Sequence, residues 1–326
     1  MHGNPFGTLP EIVTISLLSL IHISTPDPTL KDFFKQKERF ADLINCLLFH
    51  GHTVLCDENL SLYDSNSSTV FDHKAIEMSV NKGRDIMMRV NHNDLALLIG
   101  LENQQTIDYT MPFRILVYDT ITYNQQLNIL NDAARKSFHP LPVTTCVLYY
   151  GDKKWIQPHT LTEIMKIPHT YRDLINDWNG HIYDIKDIDL SKLRQPDNYM
   201  MVKAVQIFYS WDKNIESLRD MILTKEVAVV VATIIGNKKF SIKVQKEESE
   251  EINMCTVFDE YVREREMKGE IKGKVSLLLT QLKSKFGVLS DELIMKLETS
   301  TADELNQVTL TILNAKTEED ILKTWS

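Results

Sequence analysis

The amino-acid sequence predicts an α/β protein with an all-helical C-terminal region. Three observations carry that expectation. An amphipathic helical pattern opens at KDFFKQKERFADLINCLLFHG. Apolar runs of strand length follow it: RDIMMRV, LALLIGLENQ and PVTTCVLYYG. From about Pro196 onward the apolar residues recur almost entirely at helical spacing.

The first element follows from Phe33, Phe34, Phe40, Leu43, Ile44, Leu47 and Leu48, which recur every three or four residues. Asp27 or Thr29 can cap its start, Pro28 suits its first turn, and Gly51 stops it. One helix of about 18 residues is expected. LSLYDSNSSTVFDHKAIEMS carries a Ser/Asn/Asp-rich break and reads as a short edge strand and loop. RDIMMRV and LALLIGLENQ flank four polar, turn-prone residues, NHND, and read as a β-hairpin. A long helical pattern starts near Pro112, with Ile115, Tyr118, Ile121 and Tyr123 among its apolar positions. PVTTCVLYYG, bounded by Pro142 and Gly151, reads as a buried strand. HTLTEIMK suggests a short helix and HIYDIKDIDL a further strand. FDEYVREREMKGEIKGKVSLLLTQLKSKFG reads as one long charged helix. Its Gly269 and Gly273 share a face, each costs helix stability, and close approach of another helix is the usual compensation.

Composition narrows the class. The chain has 326 residues, 43% hydrophobic and 25% charged, so it is neither disordered nor a membrane protein by composition. A net charge of −9 argues against a globally basic nucleic-acid coat but leaves room for a local basic groove. Cys46, Cys56, Cys146 and Cys255 lie far apart with no metal-ligand spacing, which points to a reduced, cytoplasmic setting. His50, His52, His73 and His92 are scattered too, so no zinc site is read. The apolar run IVTISLLSLIHI is shorter than the roughly 18 residues a bilayer span needs, and no Lys or Arg precedes it as in a signal peptide. It reads as a stray strand or a poorly packed tail. LSLIHIS also resembles translated adapter read-through, so residues 1–28 are alternatively non-native.

The hairpin places chemistry on one face. With NHND as the loop, Val90 opposes Leu95 and Asp85 opposes Gly100. One face then carries Ile86, Met88, Val90, Leu95, Leu97, Ile99 and Leu101, an unbroken apolar stripe. The other carries Asp85, Met87, Arg89, Ala96, Leu98, Gly100, Glu102 and Gln104. Asp85 lies diagonal to Glu102, near enough for both carboxylates to share a metal ion, and Gly100 leaves room beside it. Oxygen ligands of this kind suit Mg²⁺ or Mn²⁺. Such a metal can position a water for attack on a phosphodiester. From spacing alone the commoner outcome is different: a solvated sheet edge, with Asp85 paired to Arg84 or Arg89 and Glu102 to a helix cation.

The surrounding residues shift that balance. KDFFKQKERFADLINCLLFHG, GRDIMMRV, LIGLENQQTIDYTMPFRILVYD, VLYYGDKKW and KGEIKGKVSLLLTQLKSKFGVLSDELIMKLE occur in this order. The series resembles the Rpn family of bacterial recombination-promoting nucleases, also called PD-(D/E)xK nuclease family transposases. The resemblance runs from about Thr29 to the C-terminus and is weaker after Pro196. It implies a restriction-endonuclease-like mixed sheet flanked by helices over residues 29–195, with a helical region over 196–326. It implies that Asp85, Glu102 and Gln104 are catalytic, that Asp85 and Glu102 hold Mg²⁺ (Mn²⁺ as the alternative), and that the substrate is DNA.

This sequence departs from the wider superfamily at Gln104, where a Lys is usual. Gln104 can hydrogen-bond a water but brings no positive charge. Lys82, Arg84 or Lys35 could supply the missing cation, or the metal alone could suffice. Asp42 and Asn45 lie sideways on the first helix and could approach the metal, although an acid there is more often an ordinary surface residue. Tyr109 and Arg114 could contact a scissile phosphate; a buried ion pair of Arg114 with Asp108 or Asp119 is an equal reading. Lys153, Lys154 and Trp155 more simply form a solvated turn with one packed Trp. Lys238 and Lys239, in GNKKFSIKVQK with Lys243 and Lys246, are candidate DNA contacts or plain solvated residues.

Two functions are therefore expected from the sequence. The first is a metal-dependent DNA endonuclease of mobile-element recombination. The second is a catalytically inert DNA-binding or oligomerisation module that retains the fold, with homo-oligomer pairing through the C-terminal helices. Neither involves a membrane.

Overall fold

The computed structural model describes residues 28–63, 84–92, 95–128, 130–210 and 215–325. The N-terminal tail, the segment around Lys82 and the hairpin tip at 93–94 lie outside them. The chain divides into two compact units: Met1–Leu218 with Ile222–Ile252, and Arg219–Met221 with Asn253–Ser326. The residues from Pro196 to Ile252, expected to open the helical region, cluster with the first unit except for Arg219–Met221.

In the first unit the opening helical pattern forms two helices, α1 (Pro28–Phe34) and α2 (Lys37–Leu48), rather than one. The break falls at Gln36, whose backbone is extended. It lets consecutive Phe33 and Phe34 both be buried, their rings edge-to-face at 5.0 Å. Arg39 sits over the Phe33 ring and is held by Asp197 and Glu226 at 2.7 Å each. Helix α2 ends at His50 and Gly51, both with positive φ.

Strands β1 (Leu60–Leu62), β2 (Ile86–His92), β3 (Leu95–Gln104), β4 (Val143–Tyr149) and β5 (His181–Asp184) form one sheet in sequence order. The β1–β2 and β2–β3 pairs are antiparallel, and the β3–β4 and β4–β5 pairs parallel. The sheet is therefore mixed. The parallel crossover from β3 to β4 carries helix α3 (Met111–Asn128) and the short α4 (Asp132–Arg135), so the single helical pattern that was expected divides near residue 130. HTLTEIMK forms only a 3₁₀ turn, Thr162–Ile164.

The hairpin register differs from the expected one by two residues. Val90 faces Leu97 and His92 faces Leu95, so Asn91 and His92 belong to the ladder and two residues make the turn. Two-residue connections are the favoured hairpin geometry. Because strand side chains alternate, a shift of two keeps every residue on its expected face. It also brings Asp85 level with Glu102 instead of diagonal to it, one step beyond the Ile86–Leu101 pair.

Both faces of the sheet are covered. Ile86, Met88, Val90, Ile99 and Leu101 are buried on one. On the other, Met111 and Ile115 of α3 pack with Val147 and Tyr149 of β4, and Met87, Leu98 and Val143 form a second cluster. After β5 come α5 (Pro196–Tyr209), β6 (Ile222–Thr224), α6 (Lys225–Ile234), α7 (Lys238–Lys246) and β7 (Glu251–Asn253). Strands β6 and β7 pair with each other.

The second unit is built on α8 (Met254–Phe286), with α9 (Asp291–Thr299), α10 (Ala302–Thr311) and α11 (Glu318–Leu322). Leu278 and Leu282 of α8 meet Leu293, Leu297, Leu305, Val308 and Ile321 in its core. A Cβ added at Gly269 or Gly273 would meet nothing within 4 Å. Among the described residues no helix approaches that glycine pair.

Candidate active site

The polar end of β3 is not a solvated edge. Asp85, Glu102 and Gln104 are 5%, 7% and 1% exposed, because α3 covers the face they share. Asp108 organises the entry to α3: its side chain accepts from the Thr110 N–H at 2.8 Å and its carbonyl from the Met111 N–H. That turn aims Arg114, one helical turn further on, at the sheet.

Arg114 is the hub. Its guanidinium donates to Glu102 Oε1 at 2.7 Å, Asp108 Oδ2 at 2.9 Å and the Tyr118 hydroxyl at 2.9 Å, and reaches Gln104 Oε1 at 3.4 Å. The Gln104 amide nitrogen donates to the Thr106 carbonyl at 2.6 Å, so Gln104 is held at both ends. Of the two readings of Arg114, the structure shows the buried ion pair, with Asp108 and Glu102. Burial works against its charge, but Tyr118 and Glu102 hold its pKa above the ordinary Arg value.

Asp85 accepts the Asn103 backbone N–H on Oδ2 at 2.8 Å. Burial raises its pKa, and the Asn103 amides oppose the rise. Burial pushes Glu102 up to about 7, and the charge of Asp85 adds to this against Arg114 and Arg84. The two carboxylates therefore feel each other across the hairpin. The Asn103 side chain is buried beside Asp85, yet neither of its polar atoms completes a normal hydrogen bond. Nothing in the sequence marks Asn103, because its strand parity puts it on the opposite face from Glu102 and Gln104.

Arg84 lies beneath this pair. It donates to Asp119 at 3.0 Å and to Thr122 at 3.0 Å. Asp119 also accepts from Thr145 at 2.6 Å and from the Trp178 indole at 3.0 Å. The space left by Gly100 is filled by Arg84: a Cβ there would overlap the Arg84 Cδ. Burial lowers the Arg84 pKa and Asp119 opposes that. Arg84 thus anchors the start of β2 and with it Asp85.

The other sequence candidates lie elsewhere. Lys35 is ion-paired with Asp32 at 2.9 Å on the helix surface. Asp42 accepts from the Arg194 N–H and the Asn198 amide, and Asn45 binds the backbone of Val54 and Leu55. Neither turns to the site. Tyr109 is 65% exposed. Lys238 and Lys239 are exposed on α7, which packs on α6. Trp155 is buried against Tyr149, and Lys154 pairs with Asp187, as the simpler reading of that turn has it. Lys82 lies outside the described residues. All four cysteines are free thiols.

A family model described as "Putative transposase, YhgA-like" matches residues 25–239. The chain belongs to this family. The match spans the mixed sheet, α1 to α6 and every residue of the Asp85–Glu102 cluster. It agrees with the PD-(D/E)xK transposase resemblance and with a nuclease-like fold of a mixed sheet flanked by helices. No curated protein and no solved structure matches the chain. No helix among the described residues is long and apolar enough to cross a membrane.

Proposed function

We propose that this member of the YhgA-like family is a divalent-cation-dependent DNA endonuclease that acts in mobile-element recombination. One observation carries the reading: two buried carboxylates, Asp85 and Glu102, stand level across a hairpin and raise the energy of each other's charge. Such a pair is stabilised by a cation shared between them. No three His, Cys, Asp or Glu residues among the described ones gather at one point, so the protein would supply two carboxylates and water the rest. The donor set is all oxygen and fits Mg²⁺ or Mn²⁺. When bound, that ion would activate a water and stabilise charge at phosphorus.

The chain's own residues do the remaining work. The Asn103 N–H fixes one oxygen of Asp85. Arg114 fixes one oxygen of Glu102, Oε1. Gln104, engaged by Arg114 and Thr106, acts by holding Arg114 rather than by placing the water itself.

The test is nicking of supercoiled plasmid DNA across a Mg²⁺, Mn²⁺ and Ca²⁺ series. Wild-type protein cuts, whereas Asp85→Ala and Glu102→Gln do not, with circular dichroism unchanged. Cutting at the wild-type rate by both variants overturns the assignment. A second reading, an inert DNA-binding or oligomerisation module, draws on the way Arg114 already compensates Glu102 and Asp108. Under it, DNA is bound in EDTA and is not cut in Mg²⁺, Mn²⁺ or Ca²⁺.

A further inference from the structure

The parallel strands β3, β4 and β5 finish at the same end of the sheet. Gln104 is level with Tyr149, and Tyr149 with Asp184. At about 4.8 Å per strand, Asp184 lies roughly 10 Å across the sheet from Gln104. In parallel α/β sheets ligands bind outside the carboxyl ends of the strands. The candidate site takes the β3 end, and a cleft of about 350 Å³ opens beside the β5 end.

The cleft exists because β5 is an edge strand with an incomplete neighbour. The chain from Trp155 to His159 runs along its open edge and is tied to it at two points. The Gly180 N–H donates to the His159 carbonyl at 2.8 Å, and the Trp155 N–H donates to Asp184 Oδ2 at 2.9 Å. Thr160 bridges Asn179 just beyond the first tie. Among the described residues no bridge joins 156–158 to β5.

The lining defines the chemistry. Cys46, Leu47, Ile182 and Ile188 make part of it apolar and buried. Rings come from three elements: His50 just after α2, Tyr183 on β5, and Trp155 with His159 from the loop. Three acids line it too, each with its own lysine: Asp184 with Lys186 at 3.0 Å, Asp187 with Lys154 at 3.2 Å, and Asp189 with Lys192 at 3.8 Å. The charges cancel, so the cleft suits neither a phosphate nor a bare cation. Apolar walls, aromatic rings and paired polar groups together accommodate a flat, neutral, hydrogen-bonding ring system. The Trp155 side chain is 6% exposed, and its indole N–H meets no acceptor among the described residues. A buried indole N–H calls for one, and the ring nitrogens and carbonyls of a nucleobase are acceptors. Trp155 also packs on Tyr149, ring centroids 5.0 Å apart, the residue between Gln104 and Asp184 in the sheet.

We propose that this cleft takes up one unstacked base of the DNA strand whose phosphate is presented to Asp85 and Glu102. This rests on the nuclease reading above. The strand is then held by a base as well as by its backbone, which suits a chain of net charge −9.

The test measures binding in EDTA of a short single-stranded oligodeoxynucleotide and of a fully abasic strand of the same length, with Mg²⁺-dependent plasmid nicking alongside. Wild type is expected to bind the base-bearing strand about 10-fold more tightly. His50→Gly combined with His159→Ala is expected to lose most of that preference and leave abasic binding unchanged. Both positions tolerate the change: His50 has φ 56°, which glycine adopts freely, and His159 is exposed. Trp155→Phe keeps a ring but drops the N–H, and is expected to weaken binding of the base-bearing strand several-fold with abasic binding again unchanged. A merely structural Trp155 would shift the urea midpoint and leave the preference intact. Equal binding of the two strands by wild type, or full preference in both variants, excludes the cleft. Free deoxyadenosine competing as strongly as the base-bearing strand would assign the cleft to a free nucleoside and overturn the proposal. If wild type nicks while the strand preference fails, the nuclease reading stands without this proposal. If wild type neither nicks nor binds DNA, the nuclease reading fails and this proposal falls with it.

Discussion

The Arg84 side chain runs across the α-carbon of Gly100, in the space where any other residue would carry its Cβ. That crossing is what lets the guanidinium reach Asp119 under α3. Gly100→Ala is therefore expected to displace Arg84 and leave Asp119 buried without its main cation. The loss should be about 2–4 kcal/mol of stability, read as a lower urea midpoint. A midpoint within error of wild type would show that Arg84 can relocate at no cost.

Glu102 predicts a pH dependence of stability. Its carboxyl is held up to about 7 by burial and then by Asp85, against about 4.3 in an unfolded chain. Below the lower value both states hold the proton. As pH rises toward 7, the unfolded chain releases it first, so the stability contributed by the protonated folded form is lost through that window. The metal-free protein should lose urea resistance between pH 5 and 7.5, and Glu102→Gln should flatten that slope. An unchanged slope in the variant would sink the assignment. Millimolar Mg²⁺ should reduce the decline, since a cation and a proton compete for the same carboxylates.

Restoring the usual lysine should not help. The Gln104 carbonyl stands 3.4 Å from Arg114, so Gln104→Lys would set an ammonium against a guanidinium. We expect a loss of about 1–3 kcal/mol and no gain in nicking rate. Faster nicking by this variant would show that Gln104 faces the substrate after all.

The glycine pair of α8 gives the opposite kind of prediction. With nothing within 4 Å of an added Cβ at Gly269 or Gly273, Gly→Ala at each should stabilise the helix by about 0.8–1 kcal/mol. Helicity by circular dichroism should rise or hold. A drop in stability, or a change of oligomeric state by light scattering, would reveal a partner seated on that face.

The sequence made some of this legible because strand geometry is local. The apolar stripe on Ile86, Met88, Val90, Ile99 and Leu101 set the faces of the hairpin, and faces survive a two-residue shift. Register itself was not legible, since NHND accepts a turn of two residues as readily as four. The sequence leaves the partners of Arg114 open, because they depend on where α3 crosses the sheet. The helix glycines suggested close packing, and a packing argument made from one partner alone has no second surface to check.

Asp119 gathers Arg84, Thr145 and Trp178, three donors spread over nearly a hundred residues of chain. A chain emerging from the ribosome at roughly 5–20 residues per second makes them one after another. The β2–β3 hairpin can pair early, but the clamp that fixes Arg84, and so Asp85, closes only when Trp178 has been made. A nascent chain halted between α3 and β4 would hold all three acidic and amide residues of the hairpin and still lack a formed site.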